Sequence, residues 1–151
     1  MFRSSSFHTI DTKGRVIIPS RFRADLKIDR EDDKKGSGVM ISNKDDCLYA
    51  YTFGEWEEVE TRIMAAKSAN MAEFRRFFLG NSCECLLDNQ DRILIPKSLR
   101  EYAGLEKDIV LVGNLDHFEI WDRARWDDVN KRTEQKLKKE EVREEIASLG
   151  L

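Results

Sequence analysis

The residues best placed to do chemistry form a short pattern that occurs twice: Asp11-Thr12-Lys13-Gly14-Arg15 and Asp88-Asn89-Gln90-Asp91-Arg92. An aspartate at the head of such a run can accept backbone N–H groups from the residues that follow and so fix a tight turn. The arginine at its end stands at the root of the next strand. From there a planar guanidinium can meet a phosphate, or the O6/N7 edge of guanine, through two hydrogen bonds at once. The same spacing equally fits an Asp–Arg pair that only holds the turn, and the pattern alone leaves both readings open. Arg3, Lys13 and Arg21, with His8 in the strand before the turn, are the further candidate DNA contacts of the first copy. Arg92 is the second copy's counterpart of Arg15, in a secondary role.

Charge supports this reading only locally. The 151 residues carry 26 Lys and Arg against 29 Asp and Glu, a net charge of −3. Residues 1–23 hold Arg3, Lys13, Arg15, Arg21 and Arg23 against Asp11, a net of +4, which leaves −7 for the rest. Binding follows the field within a Debye length of ~8 Å rather than the total. A basic head on an acidic body can therefore meet phosphate.

Catalysis finds little support. The two histidines, His8 and His117, join no metal-ligand or Cys/His constellation, and no P-loop, G-x-S-x-G or G-x-G-x-x-G occurs. Cys47, Cys83 and Cys85 are odd in number and lack finger spacing, which predicts reduced thiols packed as small apolar groups. No enzyme activity, metal, cofactor or small-molecule substrate is expected. No apolar run approaches the ~18 residues of a membrane span. The first residues lack the apolar core of a secretory signal, so a cytoplasmic protein without membrane contact is expected.

The elements that position these residues also repeat. Residues 9–23 and 86–100 align at an offset of 77, with Asp11/Asp88, Arg15/Arg92, Ile18/Ile95, Pro19/Pro96 and Arg23/Arg100 identical. Val39–Asn43 answers Val110–Asn114 at 71, and Tyr51 and Trp56 answer Trp121 and Trp126 at 70. The offset falls across Asp29–Gly38, a polar insertion that reads as a solvated loop. Each copy reads as strand, turn, strand, a proline stop, a short helix and two more strands. Gly14 suits a turn residue with positive φ. Asp91, its counterpart, tolerates that conformation less well, so a differently shaped second turn is expected. Trp56, Val59, Ile63, Phe74 and Phe78 keep near-helical spacing over 55–80 and predict a connecting helix. Residues 126–151 read as a charged helical or partly disordered tail. The divisions are thus 5–54, 55–80, 82–125 and 126–151.

Gly14-Arg15-Val16-x-Ile18-Pro19-x-x-Phe22-Arg23 resembles the DNA-binding half of the AbrB/MazE/SpoVT swapped-hairpin family. Two such units, both with D-x-x-x-R, together with Phe77-Phe78-Leu79-Gly80 and the run Val112-Gly113-Asn114…Glu119-Ile120-Trp121, resemble the MraZ family over roughly residues 1–126. The resemblance implies a mainly β fold with helices: a tandem-repeat, swapped-hairpin AbrB-like barrel, completed as a pseudo-dimer within one chain, with a helix after each repeat. It also implies a nucleoid-associated regulator that assembles into homo-oligomeric rings. Such a regulator binds repeated double-stranded promoter elements and represses its own division and cell-wall operon. Two other classes fit less well. An antitoxin-type interaction protein of the MazE class normally carries one unit per chain, and a nucleoid protein without sequence preference would use the same arginines on phosphate alone.

Overall fold

The computed structural model describes residues 1–28 and 36–151. Most of the expected 29–38 loop lies outside the described residues.

The first copy contributes β1 (Ser5–Thr9), β2 (Arg15–Ile17), α1 (Ser20–Ile28), β3 (Gly38–Lys44) and β4 (Cys47–Tyr51). The second contributes β5 (Cys83–Leu86), β6 (Arg92–Leu94), α4 (Lys97–Ala103), β7 (Asp108–Asn114) and β8 (His117–Asp122). Between them run α2 (Phe53–Ala65) and α3 (Ala69–Gly80), and α5 (Arg123–Leu137) and α6 (Glu140–Ala147) follow. Residues 55–80 are therefore two helices rather than one. The break falls where Ser68 turns extended and accepts the Met71 N–H, capping α3. A serine between two apolar helical stretches does not disrupt the 3.6 period, so periodicity alone joins them.

Pairing between strands exchanges the copies. One sheet has the order β1-β7-β8-β4-β3-β5, and a separate two-stranded ribbon pairs β2 with β6, all antiparallel. Strand β1 of the first copy lies on β7 of the second, and β5 of the second lies on β3 of the first. This is the swapped arrangement within one chain, mainly β with helices. Its strands make an open sheet and a ribbon instead of a closed barrel.

Register corrects the repeat alignment by one residue. Met40 stands opposite Tyr51 as Val110 stands opposite Trp121, so β3 and β7 correspond at offset 70, not 71. Under that offset Ile41 answers Leu111, and both are fully buried. Runs of aliphatic residues resemble one another in either alignment, whereas a one-residue slip would turn each side chain to the opposite face.

The main core lies between one face of the sheet and a layer made of the ribbon, α1 and α4. Val16, Ile18, Ile93 and Ile95 meet Phe22, Leu26, Leu99 and the sheet residues Ile41, Leu48, Ile109, Leu111 and Ile120 there. Phe2, Phe22 and Phe118 pack as a trio with ring centroids 5.0–5.2 Å apart. On the other face α2 and α3 cover β3 and β4 through Trp56, Val59 and Phe78, while Trp126 and Val129 of α5 pack beside Cys47, Val110 and Trp121. Cys47 and Cys85 are buried, Cys83 is half-buried, and all three are free thiols. Burial pushes the Cys47 and Cys85 thiols well above their ordinary range.

Candidate nucleic-acid interface

Each turn is held by its own aspartate. Asp11 Oδ1 accepts the N–H groups of Lys13 and Arg15, both at 2.9 Å, and Asp11 Oδ2 accepts Arg15 Nε at 2.7 Å. Asp88 does the same with the N–H groups of Gln90 at 2.8 Å and Arg92 at 3.0 Å, and with Arg92 Nε at 2.9 Å. The backbone closes both turns alike, Gly14 N–H donating to Asp11 O and Asp91 N–H to Asp88 O. Asp91 adopts φ 60°, in the left-handed region, where Gly14 has φ 91°. The second turn is thus not reshaped by the absence of glycine. Aspartate is among the few side chains that enter this region at modest cost.

The Arg15 N–H, then its side chain and the Lys13 N–H, hold the Asp11 carboxyl down at about 2 against partial desolvation. Asp88 is lowered in the same way, first by the Arg92 N–H. Both arginines use Nε on their aspartate, and among the described residues neither has a partner at its terminal nitrogens. The pair that holds the turn therefore leaves the guanidinium edge uncommitted, on side chains 33% exposed at Arg15 and 25% at Arg92. The structural and the functional readings of the motif are compatible.

The swap brings the two turns onto one surface. In the ribbon Arg15 lies opposite Leu94, Val16 opposite Ile93, and Ile17 opposite Arg92. Val16 and Ile93 face the core, so Arg15, Ile17, Arg92 and Leu94 share the outer face. Ile18 N–H donates to Asp91 O and Ile95 N–H to Gly14 O, which seats each turn against the end of the other copy's strand. An antiparallel ribbon of this width is one of the forms that enter a major groove.

Spatial charge differs from charge along the chain. Arg23 donates to Ile18 O at 2.6 Å and reaches Asp91 at 3.5 Å, so it belongs to the second turn. Arg100 donates to Ile95 O at 3.0 Å and stands where a Cβ on Gly14 would fall, so it belongs to the first. The first turn then gathers Lys13, Arg15 and Arg100 against Asp11. The second gathers Arg23 and Arg92 against Asp88 and Asp91.

Of the other expected contacts, Lys13 sits in the first turn and is exposed. Arg21 donates to Ser5 O, and Arg3 precedes Ser5, so both lie at the end of β1 away from the turn. The five residues of β1 span about 13 Å. His8 is half-buried beside Ser6 Oγ at 2.6 Å, and burial, then Arg21, lower its pKa. A further cation that the motifs did not single out lies beside β1: the Arg123 guanidinium stands 4.6 Å from the centroid of the Phe7 ring and lines a cleft with His8, Thr9, Ile17 and Asp108. Its place at the head of α5, outside both motifs, offered no local signal. Among the described residues no group of His, Cys, Asp and Glu could hold a metal ion, and no helix is long and apolar enough to cross a membrane.

Comparison with known proteins agrees with the repeat and the motif. A family model described as "MraZ protein, putative antitoxin-like" matches residues 1–77 and again 78–146. The chain belongs to the MraZ family of transcriptional regulators. A protein named "Transcriptional regulator MraZ" from Desulforapulum autotrophicum is 62% identical over 151 residues, covering all of both chains. Relatives of the same name from Desulfosudis oleivorans and Acetivibrio thermocellus are 46% and 36% identical over 153 residues, again covering all of both chains. The family is named for regulation rather than for a reaction.

Proposed function

We propose that the chain is a cytoplasmic, nucleoid-associated repressor that binds repeated elements upstream of its own division and cell-wall operon. Arg15 and Lys13 of the first turn are the principal contacts. Arg92 is a secondary one, and Arg3, Arg21 and His8 serve at the margin. The observation that supports this reading is the single ribbon face that carries both arginines, whose terminal nitrogens have no partner among the described residues. One such face makes few phosphate contacts, and the rest of the chain is acidic. Useful affinity therefore calls for several faces acting together on several DNA repeats, by effective concentration, as in a closed homo-oligomeric ring.

Footprinting across the DNA upstream of the gene tests the reading. Protection of evenly spaced short repeats supports it, and uniform protection leaves a nucleoid-type binder. Light-scattering mass, with binding to duplexes of one against several repeats, tests the assembly: a monomer, or equal affinity for both duplexes, removes the multivalent part. Co-purification of a small toxin that blocks DNA binding would favour the antitoxin reading.

A further inference from the structure

Two side chains on the ribbon's outer face have no role in a contact made by arginine alone. Ile17 and Leu94 are 53% and 57% exposed, while their strand neighbours Val16 and Ile93 are fully buried. A polar β-former would pair as well on a solvent-facing position, yet both copies place an aliphatic there. Leu94 lies opposite Arg15 and Ile17 opposite Arg92. Opposed side chains stand about 4.5–5.5 Å apart at Cβ, not far from the ~3.4 Å rise of one base step. An arginine seated on a guanine edge thus carries the facing aliphatic over the neighbouring base pair. In the major groove a single base offers an apolar group, the C5 methyl of thymine.

We propose that Ile17 and Leu94 are specificity-determining residues that read thymine methyl groups beside the bases met by Arg92 and Arg15. The inference rests on the DNA-binding reading above and goes beyond it by naming what the aliphatic pair recognises. Arg15 and Arg92 flank the pair across the ribbon, and Arg123 lines a cleft together with Ile17 and Asp108. Apolar side chains set opposite guanidiniums whose terminal nitrogens have no partner among the described residues fit a polyanion that carries methyl groups better than the apolar face of a second protein.

The test uses the full-length protein and duplexes of the DNA upstream of its gene, in which thymines are replaced one at a time by deoxyuridine. Loss of a contacted methyl weakens wild-type binding by about fourfold, the worth of one buried methyl. Ile17→Ala or Leu94→Ala weakens binding to the thymine duplex by a similar factor and adds nothing once the matching deoxyuridine is present. Equal wild-type affinity for all the duplexes overturns the inference while leaving the DNA-binding reading intact. The inference also fails if either variant loses as much on the deoxyuridine duplex as on thymine. A change of assembly mass in either variant assigns the pair to a contact between subunits and overturns it too. A wild-type chain that binds none of the duplexes removes the DNA reading and this inference together.

Discussion

The first turn ends on Gly14 and the second on Asp91, yet the two share every backbone hydrogen bond and the same Asp–Arg clasp. What differs is the neighbour delivered by the other copy. At the first turn Arg100 fills the space a side chain on Gly14 would need, with Nε 2.7 Å from the ideal Cβ position and Ile95 O equally near. At the second, Arg23 instead meets the Asp91 carboxylate as a partly exposed ion pair. A glycine in one copy and an aspartate in the other are thus two solutions to placing an arginine beside a left-handed residue. One leaves the site basic and the other neutralises it.

The largest effect that can break this comparison is on stability. Gly14→Ala forces a Cβ toward backbone at φ 91°, and a loss of about 2 kcal/mol or more is expected. Asp91→Gly, which removes a strained side chain and an exposed ion pair, shifts stability by less than about 1 kcal/mol. Denaturant melts of the two variants decide it, and equal losses would mean the turns are crowded alike.

Next comes affinity. Arg15→Ala should weaken specific DNA binding by roughly 1–3 kcal/mol, the worth of one good bidentate contact, with the melting temperature nearly unchanged. Arg92→Ala should cost less than about 1 kcal/mol of affinity, because Asp91 and Arg23 leave its surroundings without net charge. Equal losses in fluorescence titrations would show that the local balance of charge does not rank the two sites. Smaller again, Lys13→Ala should reduce the slope of log K against log [salt] by about 0.9 if Lys13 meets one phosphate.

How much of this was legible in the sequence depends on whether the interaction is local. The turns, the strands that follow them and the proline stops lie within a dozen residues, and types and spacing specify them. Which copy pairs with which does not. A repeat reads the same whether its hairpin folds on itself or on its twin, so the move of Arg23 to the second turn and of Arg100 to the first stayed hidden. The outward face of Ile17 and Leu94 was hidden for a related reason. Arg15-Val16-Ile17 looks like any buried strand until its partner and its sheet are known.

A second part of the molecule sharpens the contrast between copies. At offset 70 Cys47, Tyr49 and Tyr51 of β4 answer His117, Glu119 and Trp121 of β8. His117 is stacked on Tyr49 at 4.6 Å, with Asp116 at 2.7 Å and Glu119 at 3.3 Å. Burial is the largest single influence on its pKa and lowers it. The hydrogen bonds and charges of the two carboxylates together outweigh it, so the net shift is upward. Burial likewise raises the Glu119 pKa, and bonds to His117, Trp121 and Asn114 carry it below the ordinary value.

A histidine raised on folding stabilises fully below its unfolded pKa of about 6.5 and loses that contribution as pH rises through the folded value. Glu119, lowered on folding, loses its own as pH falls through its folded pKa. The melting temperature should therefore decline both above about pH 6.5 and in acid, and His117→Gln should flatten the alkaline decline. A wild-type profile level from neutral to alkaline pH would mean the imidazole is neutral in its pocket.

Binding isotherms of wild type, Arg15→Ala and Arg92→Ala at physiological salt test the ribbon face most directly. The probe is a duplex of the DNA upstream of the gene, set against a shuffled duplex of equal length and composition. Wild type should prefer the native duplex by at least about a thousandfold, as specific DNA-binding proteins do. Arg15→Ala should lose most of that preference and Arg92→Ala only part of it. Equal affinity of wild type for the two duplexes, or a native preference that survives Arg15→Ala intact, would contradict the assignment of the ribbon face as the DNA-reading surface.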